Sequence, residues 1–223
     1  MEKGFFVSID FDGTVTYADV TDAILKAFAG PGWEEIEDAW QKGLIGSGRC
    51  LTGQMALVDA TGDELLDFVD SFELRPGFTD FLGTLKALSI PFGIVSDGFE
   101  VVIRRILSKT GFDDVPVYAN GLTTVKGRMV PVFPNSARGC PSGTCKCKVV
   151  DKSGAGLPVI HIGDGRSDFC VAQKASLVFC RGALLSHCES SGILHHPFND
   201  FFDIAKALTK FTPLFRGRKA MAV

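Results

Sequence analysis

The chain holds 223 residues, 46% of them hydrophobic and 22% charged, the balance of a globular protein with room for one large unit or a core carrying a small insert. A net charge of −3 argues against a nucleic-acid partner held by bulk charge, and no apolar run approaches membrane-spanning length, so no membrane partner is expected. The opening Met1-Glu-Lys-Gly4 lacks the long apolar region of a secretion signal, which sets the expectation of a cytoplasmic protein.

The first element is a short apolar run, Phe5-Phe-Val-Ser-Ile9, that ends in two acids, Asp10 and Asp12, followed by Gly13, Thr14 and Thr16. A run of that length reads as a buried strand. Unpaired buried charge is costly, so carboxylates at such a strand end call for a divalent cation and a substrate that brings its own charge. From residue 17 to 75 the pattern turns helical. Asp22 to Ala29 stops at Gly30-Pro-Gly32. Trp33 to Lys42 places Trp33, Ile36, Ala39 and Trp40 on one side. Gly43 to Gly53 carries four glycines that break the periodicity, and Asp63 to Phe72 is again amphipathic. Arg75-Pro-Gly77 punctuates the chain, and Phe78 to Leu88 reads as a helix. Pro91 to Ser96 is a second apolar strand ending in Ser96-Asp97-Gly98, and Val101 to Leu107 follows at helical spacing.

Gly121 to Val132 reads as a hairpin turning at Lys126-Gly127. A Gly/Pro/Ser-rich loop holds Cys140, Cys145 and Cys147 and leads into Lys148. Seven cysteines without a secretion signal argue against a disulfide framework. The three loop thiols lack an obvious fourth zinc ligand, so loop packing or redox chemistry is favoured over zinc. Cys170 and Cys180 sit in apolar patterns and are expected to be buried. A last apolar strand, Pro158 to Gly163, ends in Asp164-Gly-Arg-Ser-Asp168. The four histidines are expected to be structural or surface groups. The final residues, 216–223, are expected to fray.

Strands alternating with helices imply an α/β fold, a parallel sheet with helices on both faces, with ligands at the carboxyl ends of the strands. Asp10-Phe-Asp-Gly-Thr-Val-Thr16, Ser96, a lysine and Gly163-Asp164, in that order, resemble the motifs of the haloacid-dehalogenase superfamily of Rossmann-like phosphatases. The resemblance makes Asp10 the nucleophile, Asp12 the general acid/base, and Ser96, Asp97, Gly98 and Lys148 the phosphate-binding group. Lys148 is chosen over Lys146 and Lys152 because Cys145-Lys-Cys147-Lys148 resembles a helix start in one subfamily. It makes Asp10, Asp12 (through its carbonyl) and Asp164 the ligands of Mg²⁺, with Asp168 orienting the site from behind. Residues 1–16 and 76–223 would form the core and 17–75 a helical cap similar to that of the phosphoserine-phosphatase branch. That branch carries a Glu nine residues after the nucleophile and a cap Arg for the amino-acid carboxylate. This chain has Asp19 and Gln54 there, with Arg49 one turn earlier, so phosphoserine is disfavoured. Trp33, Trp40, Met55 and Phe72 are read as cap-core residues ahead of pocket-lining ones. The expectation is a Mg²⁺-dependent phosphatase of a small phosphorylated metabolite, monomeric or homodimeric, with a phosphoserine-phosphatase-like enzyme or a phosphotransferase as alternatives and a non-catalytic binder behind them.

Overall fold

The structure is a computed structural model that describes residues 4–112 and 114–217. Most of the tail expected to fray lies outside the described residues, as do residues 1–3 of the opening segment. The strands are β1 (Phe6–Ile9), β2 (Phe92–Phe99), β3 (Val117–Val125), β4 (Arg128–Val132), β5 (Val159–Gly163), β6 (Leu177–Cys180) and β7 (His195–Pro197). They form one sheet in the order β4-β3-β2-β1-β5-β6-β7, parallel except for the β3–β4 pair. The helices are α1 (Val20–Phe28), α2 (Trp33–Gln41), α3 (Ser47–Met55), α4 (Gly62–Val69), α5 (Phe78–Ala87), α6 (Glu100–Leu107), α7 (Lys146–Ser153), α8 (Phe169–Ala172), α9 (Gly182–Ser191) and α10 (Phe201–Gly217).

β1, β5 and β6 are buried along their whole lengths, which is why each reads as a continuous apolar run instead of an alternating one. The period of two still sorts their side chains. Phe5, Val7 and Ile9 join the main core with residues of α5, α6 and α10. Phe6 faces the other way, into a smaller cluster with Cys145, Cys147, Val150 and Val171. Behind β6, Val178 and Cys180 meet Leu184 and Cys188 of α9. Both faces of the sheet are therefore covered, as the alternation of elements implied.

The hairpin forms where the Lys126-Gly127 turn signal placed it. Both residues have positive φ, 51° and 78°, the twist that matches flanking strands. β3 starts earlier than expected. Its first half pairs parallel with β2 and its second half antiparallel with β4.

α3 differs from the sequence reading. Gly43 to Gly46 interrupts the helical insert as expected, but the rest of the glycine-rich stretch, from Ser47, forms a helix. Gly46 packs against the main chain of the cysteine loop, where a methyl group would overlap the Pro141 carbonyl, and Gly53 sits against Ile36 of α2. These glycines serve close approach, and for Gly53, inside the helix, packing outweighs a poor helix propensity of about 1 kcal/mol. Cys180 is buried as expected, but Cys170 is exposed, since α8 turns Val171 and Ala172 inward instead. No helix among the described residues is long and apolar enough to cross a membrane.

Gly46→Ala is expected to lower stability by about 1–3 kcal/mol through overpacking, measured by chemical denaturation. Gly62→Ala, in the first turn of α4 with nothing within 4 Å of the new methyl, is expected to be neutral or stabilising by roughly 0.5–1 kcal/mol.

Candidate active site

β1 lies between β2 and β5, and the chain builds outward from it in both directions. Such a reversal leaves a crevice at the strands' carboxyl ends. Asp10 and Asp12 follow β1, Ser96 lies in β2, and Asp164 follows β5, so residues far apart in sequence meet there. Gly13, with φ +70°, turns the chain just after the acids. The turn is held by the buried Arg75, which donates to the carbonyls of Gly13 (3.0 Å), Thr14 (3.0 Å) and Thr16 (3.3 Å). Arg75 carried no sequence signal beyond its place before Pro76-Gly77.

Asp10, Asp164 and Asp168 each bring a carboxylate oxygen within 4.8 Å of the others. The lysine among them is Lys146. Its ammonium sits 2.7 Å from Asp10 and 2.5 Å from Asp168 and is almost fully buried. This corrects the choice of Lys148. Lys148 is exposed and donates to the Ser136 carbonyl at 2.6 Å. The reason is helical periodicity: Lys146 opens α7 facing the sheet, and a residue two positions on lies about 200° around the axis.

Asp168 is fully buried and saturated. One oxygen takes Lys146 and His161 Nε2 (2.9 Å); the other accepts the main-chain N–H groups of Asp164 (3.1 Å) and Gly165 (3.2 Å). His161 Nδ1 meets Ser8 Oγ at 3.1 Å. A buried polar chain thus runs Ser8–His161–Asp168–Lys146–Asp10. His161 is structural as expected, yet it joins the site through Asp168. Its signal was a lone imidazole between Ile160 and Ile162 in a buried strand.

The expected phosphate group is only partly assembled. The buried Ser96 hydroxyl lies 3.5 Å from Asp12 Oδ2 and accepts the Gly98 N–H at 2.9 Å, so that N–H is already used. Asp97 also lines the cavity, but its carboxylate is already engaged. Its carboxylate accepts the Ser47 hydroxyl of α3, the Thr144 N–H (2.7 Å) and the Asn120 amide (3.2 Å). A carboxylate held among donors is less repulsive to a nearby anion than an unpaired one. Arg166 does not pair with it.

A cavity of 390 Å³ opens above these groups. Asp10, Asp12, Ser96, Asp164 and Arg166 line its floor and rim, and Asp19, Leu25, Trp40, Leu51 and Gln54 of the inserted helices line its roof. Asp19 caps α1 by accepting the Asp22 N–H at 2.8 Å. Gln54 is buried and donates to Glu37 at 3.0 Å. Arg49 is exposed on the opposite side of α3, beside Glu35 and Ala39, so it does not replace the missing cap arginine. Of the four large apolar residues considered for the pocket, only Trp40 lines it; Met55 belongs to the main core and Phe72 packs against it.

The charges do not balance. Burial pushes Asp12 up to about 8, with the charge of Asp19 adding to the effect. Burial and the Asp168 charge push Asp164 up to about 6. Burial raises Asp10 as well, with Lys146 opposing. Burial alone would also raise Asp168, but Lys146 and His161 outweigh it and hold its carboxyl below the usual range. Lys146 is held above its usual range because its two carboxylate partners outweigh burial. One ammonium facing several carboxylates leaves a need for a cation, and an all-oxygen donor set suits a hard divalent ion.

The haloacid dehalogenase-like hydrolase family matches residues 7–175, and the chain belongs to it. It is a phosphoric monoester hydrolase of that family. Among curated proteins the chain is similar to 2-hydroxy-3-keto-5-methylthiopentenyl-1-phosphate phosphatase of Geobacillus thermodenitrificans, at 32% identity over 94% of this chain and 98% of that one. It is equally 32% identical to the protein of the same name from Exiguobacterium sibiricum, over 89% and 94%. Among solved structures it is similar to a substrate-bound phosphoserine phosphatase, with a TM-score of 0.71, 19% identity, and coverage of 93% and 99%. A phospho-aspartyl intermediate analogue of phosphoserine phosphatase gives 0.70 and 19%.

Lys146→Met strips the counter-charge from two buried carboxylates and is expected to destabilise the fold by about 3–5 kcal/mol and to abolish activity. Lys148→Met is expected to stay within about 0.5 kcal/mol of the parent with activity intact. Denaturation and phosphate-release assays on the two variants check this.

A second outcome concerns pH. Carboxyls with raised folded-state values bind protons more tightly in the native state, so stability falls as pH rises from the ordinary value near 3.8 through about 6 for Asp164 and about 8 for Asp12. Asp168 and Lys146, shifted to the extremes, titrate outside this window. Chelator-treated protein is expected to melt at lower temperature at pH 8 than at pH 5, with Mg²⁺ restoring more at pH 8. Scanning calorimetry with and without the ion reads both.

Proposed function

We propose that this protein is a Mg²⁺-dependent phosphatase that acts through an aspartyl-phosphate on Asp10, with residues 17–75 as its cap. The preferred substrate in this reading is 2-hydroxy-3-keto-5-methylthiopentenyl-1-phosphate. The observation that carries the reading is the Asp10 carboxylate held 2.7 Å from the buried Lys146 at the floor of a small-molecule-sized cavity.

Asp10 attacks phosphorus, and Lys146 fixes the attacking carboxylate while countering the charge of the phosphoryl oxygens. Asp12, pushed up to about 8, carries a proton at neutral pH. It gives that proton to the departing alkoxide and then takes one from the water that cleaves the aspartyl-phosphate. Main-chain Val20 N–H donates to Asp12 Oδ1 at 3.0 Å, leaving Oδ2 toward Ser96 and the cavity. Asp10, Asp164 and the Asp12 carbonyl would hold Mg²⁺, which when bound screens the repulsion between carboxylate and phosphate. Thr14 steadies Asp164 with a hydroxyl donated at 2.8 Å. The inserted helices exclude bulk water from this low-dielectric floor.

Two facts support the substrate. The relatives that share about a third of the sequence over nearly its whole length carry that name. The roof offers Leu25, Trp40 and Leu51 to an apolar tail, while Arg49 faces away and supplies no clamp for an amino-acid carboxylate.

Asp10→Asn is expected to lower turnover of para-nitrophenyl phosphate with Mg²⁺ by about 10³-fold or more while the circular dichroism spectrum is kept; undiminished turnover would end the mechanism. Comparison of kcat/KM for the methylthio ketose phosphate and for phosphoserine tests the substrate separately. A preference of at least about tenfold for the former is expected, and the reverse preference would remove that substrate while leaving the chemistry standing.

A further inference from the structure

Behind the active site, on the face of the sheet away from the main core, lies a group of thiols with no part in the chemistry above. Cys140, Cys145 and Cys147 belong to the small apolar cluster around Phe6, Val150, Val159 and Val171. The sequence offered these three no obvious fourth partner, and folding brings Cys170. Cys170, on the exposed side of α8, places its sulfur 3.1 Å from that of Cys147 on α7. The four thiols do not form a metal-binding group: the one set of three or more candidate ligands drawn together among the described residues is Asp10, Asp164 and Asp168. Cys140 also lies beside Cys145, but the sulfur–sulfur contact of 3.1 Å is that of Cys147 and Cys170.

We propose that Cys147 and Cys170 are a reversible disulfide site, closed by a low-molecular-weight disulfide such as glutathione disulfide. A sulfur–sulfur bond is about 2.05 Å long, so closure needs about 1 Å of approach between two side chains that already touch. The partners also differ in access. Cys170 is exposed, whereas Cys147 is buried and its thiol is pushed up to about 12, first by burial and then by Cys170 itself. The order of events follows. The Cys170 thiolate attacks one sulfur of glutathione disulfide, and one glutathione thiolate leaves. Cys147 then gives its proton to water and attacks the Cys170 sulfur of the mixed disulfide, and the second glutathione leaves. Two protein thiols are oxidised, one glutathione disulfide is reduced to two glutathiones, and no other reactant is needed. In a reducing compartment the pair rests open. The closed bond ties the helix that begins at Lys146 to the segment that follows Asp168, so it braces from behind the ion pair that holds Asp10.

The test uses the full-length protein and reads mass, not activity, so it stands apart from the phosphatase reading. Reduced protein is exposed to glutathione disulfide, quenched by alkylation, and mapped by peptide mass. Expected are a loss of two hydrogens, a Cys147–Cys170 cross-linked peptide, no lasting glutathione adduct, and reversal by dithiothreitol. Cys147→Ser is expected to retain one glutathione on Cys170, and Cys170→Ser to show neither adduct nor cross-link at Cys147. A lasting adduct on Cys170 in the parent protein would overturn the proposal. So would a cross-link that joins other cysteines, or one zinc per chain that shields the thiols and is lost in Cys170→Ser. Should either variant fail to fold, the mapping of the parent protein decides alone.

Discussion

A single buried ammonium holds the strand-tip cluster together. Lys146 lies between Asp10 and Asp168 with almost no exposure, and every other charge in the crevice is set against it. Asp168 stays ionised because Lys146 and His161 face it, and, being ionised, it accepts the N–H groups of Asp164 and Gly165. Those two bonds shape the turn that aims Asp164 at Asp10. The ion pair therefore does more than neutralise. It passes orientation from α7, through the loop after β5, to the residue opposite the nucleophile. Buried ion pairs are poor sources of net stability, which fits a network kept for geometry.

The residual negative charge defines what the site can accept. Asp10, Asp12 and Asp164 are each driven toward protonation by burial first and then by a neighbouring carboxylate, Asp168 for both Asp10 and Asp164, and Asp19 for Asp12. A cation relieves this, and a phosphate dianion can then approach. The inserted helices complete the enclosure, and they are joined to the floor at a definite point. Asp97 takes the Ser47 hydroxyl of α3, while Gly143 N–H donates to the same Ser47 oxygen at 3.1 Å. The acid that looked out of place beside a phosphate is thus a mooring between the roof and the cysteine loop.

Much of this was legible in the sequence, and the failures have physical causes. The acids at the ends of β1 and β5 stood out because buried strands do not otherwise finish in charge. The alternation of strand and helix was equally plain, since each element carried its own periodicity. The lysine was misplaced because several lysines crowd one short helix, and only the direction in which α7 begins separates Lys146 from Lys148. α3 was hidden because glycines needed for close contact with Pro141 and Ile36 look, in one dimension, like glycines that end helices. The partner of Cys147 was invisible for a related reason: 23 positions separate it from Cys170, and only the packing of α7 beside α8 removes that distance.

The residues that enter and leave the helical insert are fastened to each other. Thr16 and Leu74 form a two-residue antiparallel bridge, the Arg75 N–H donates to the Val15 carbonyl at 2.7 Å, and the Arg75 guanidinium grips the turn after Asp12. The excursion from 17 to 74 thus leaves and rejoins the sheet at one clasped doorway. Apart from two ties of its own, the Val20 N–H on Asp12 and the Ser47 hydroxyl on Asp97, its interior can be lengthened, shortened or exchanged without tugging on the turn below, because the clasp holds that turn independently. Evolution can therefore refit the roof for a new metabolite while the floor keeps its chemistry.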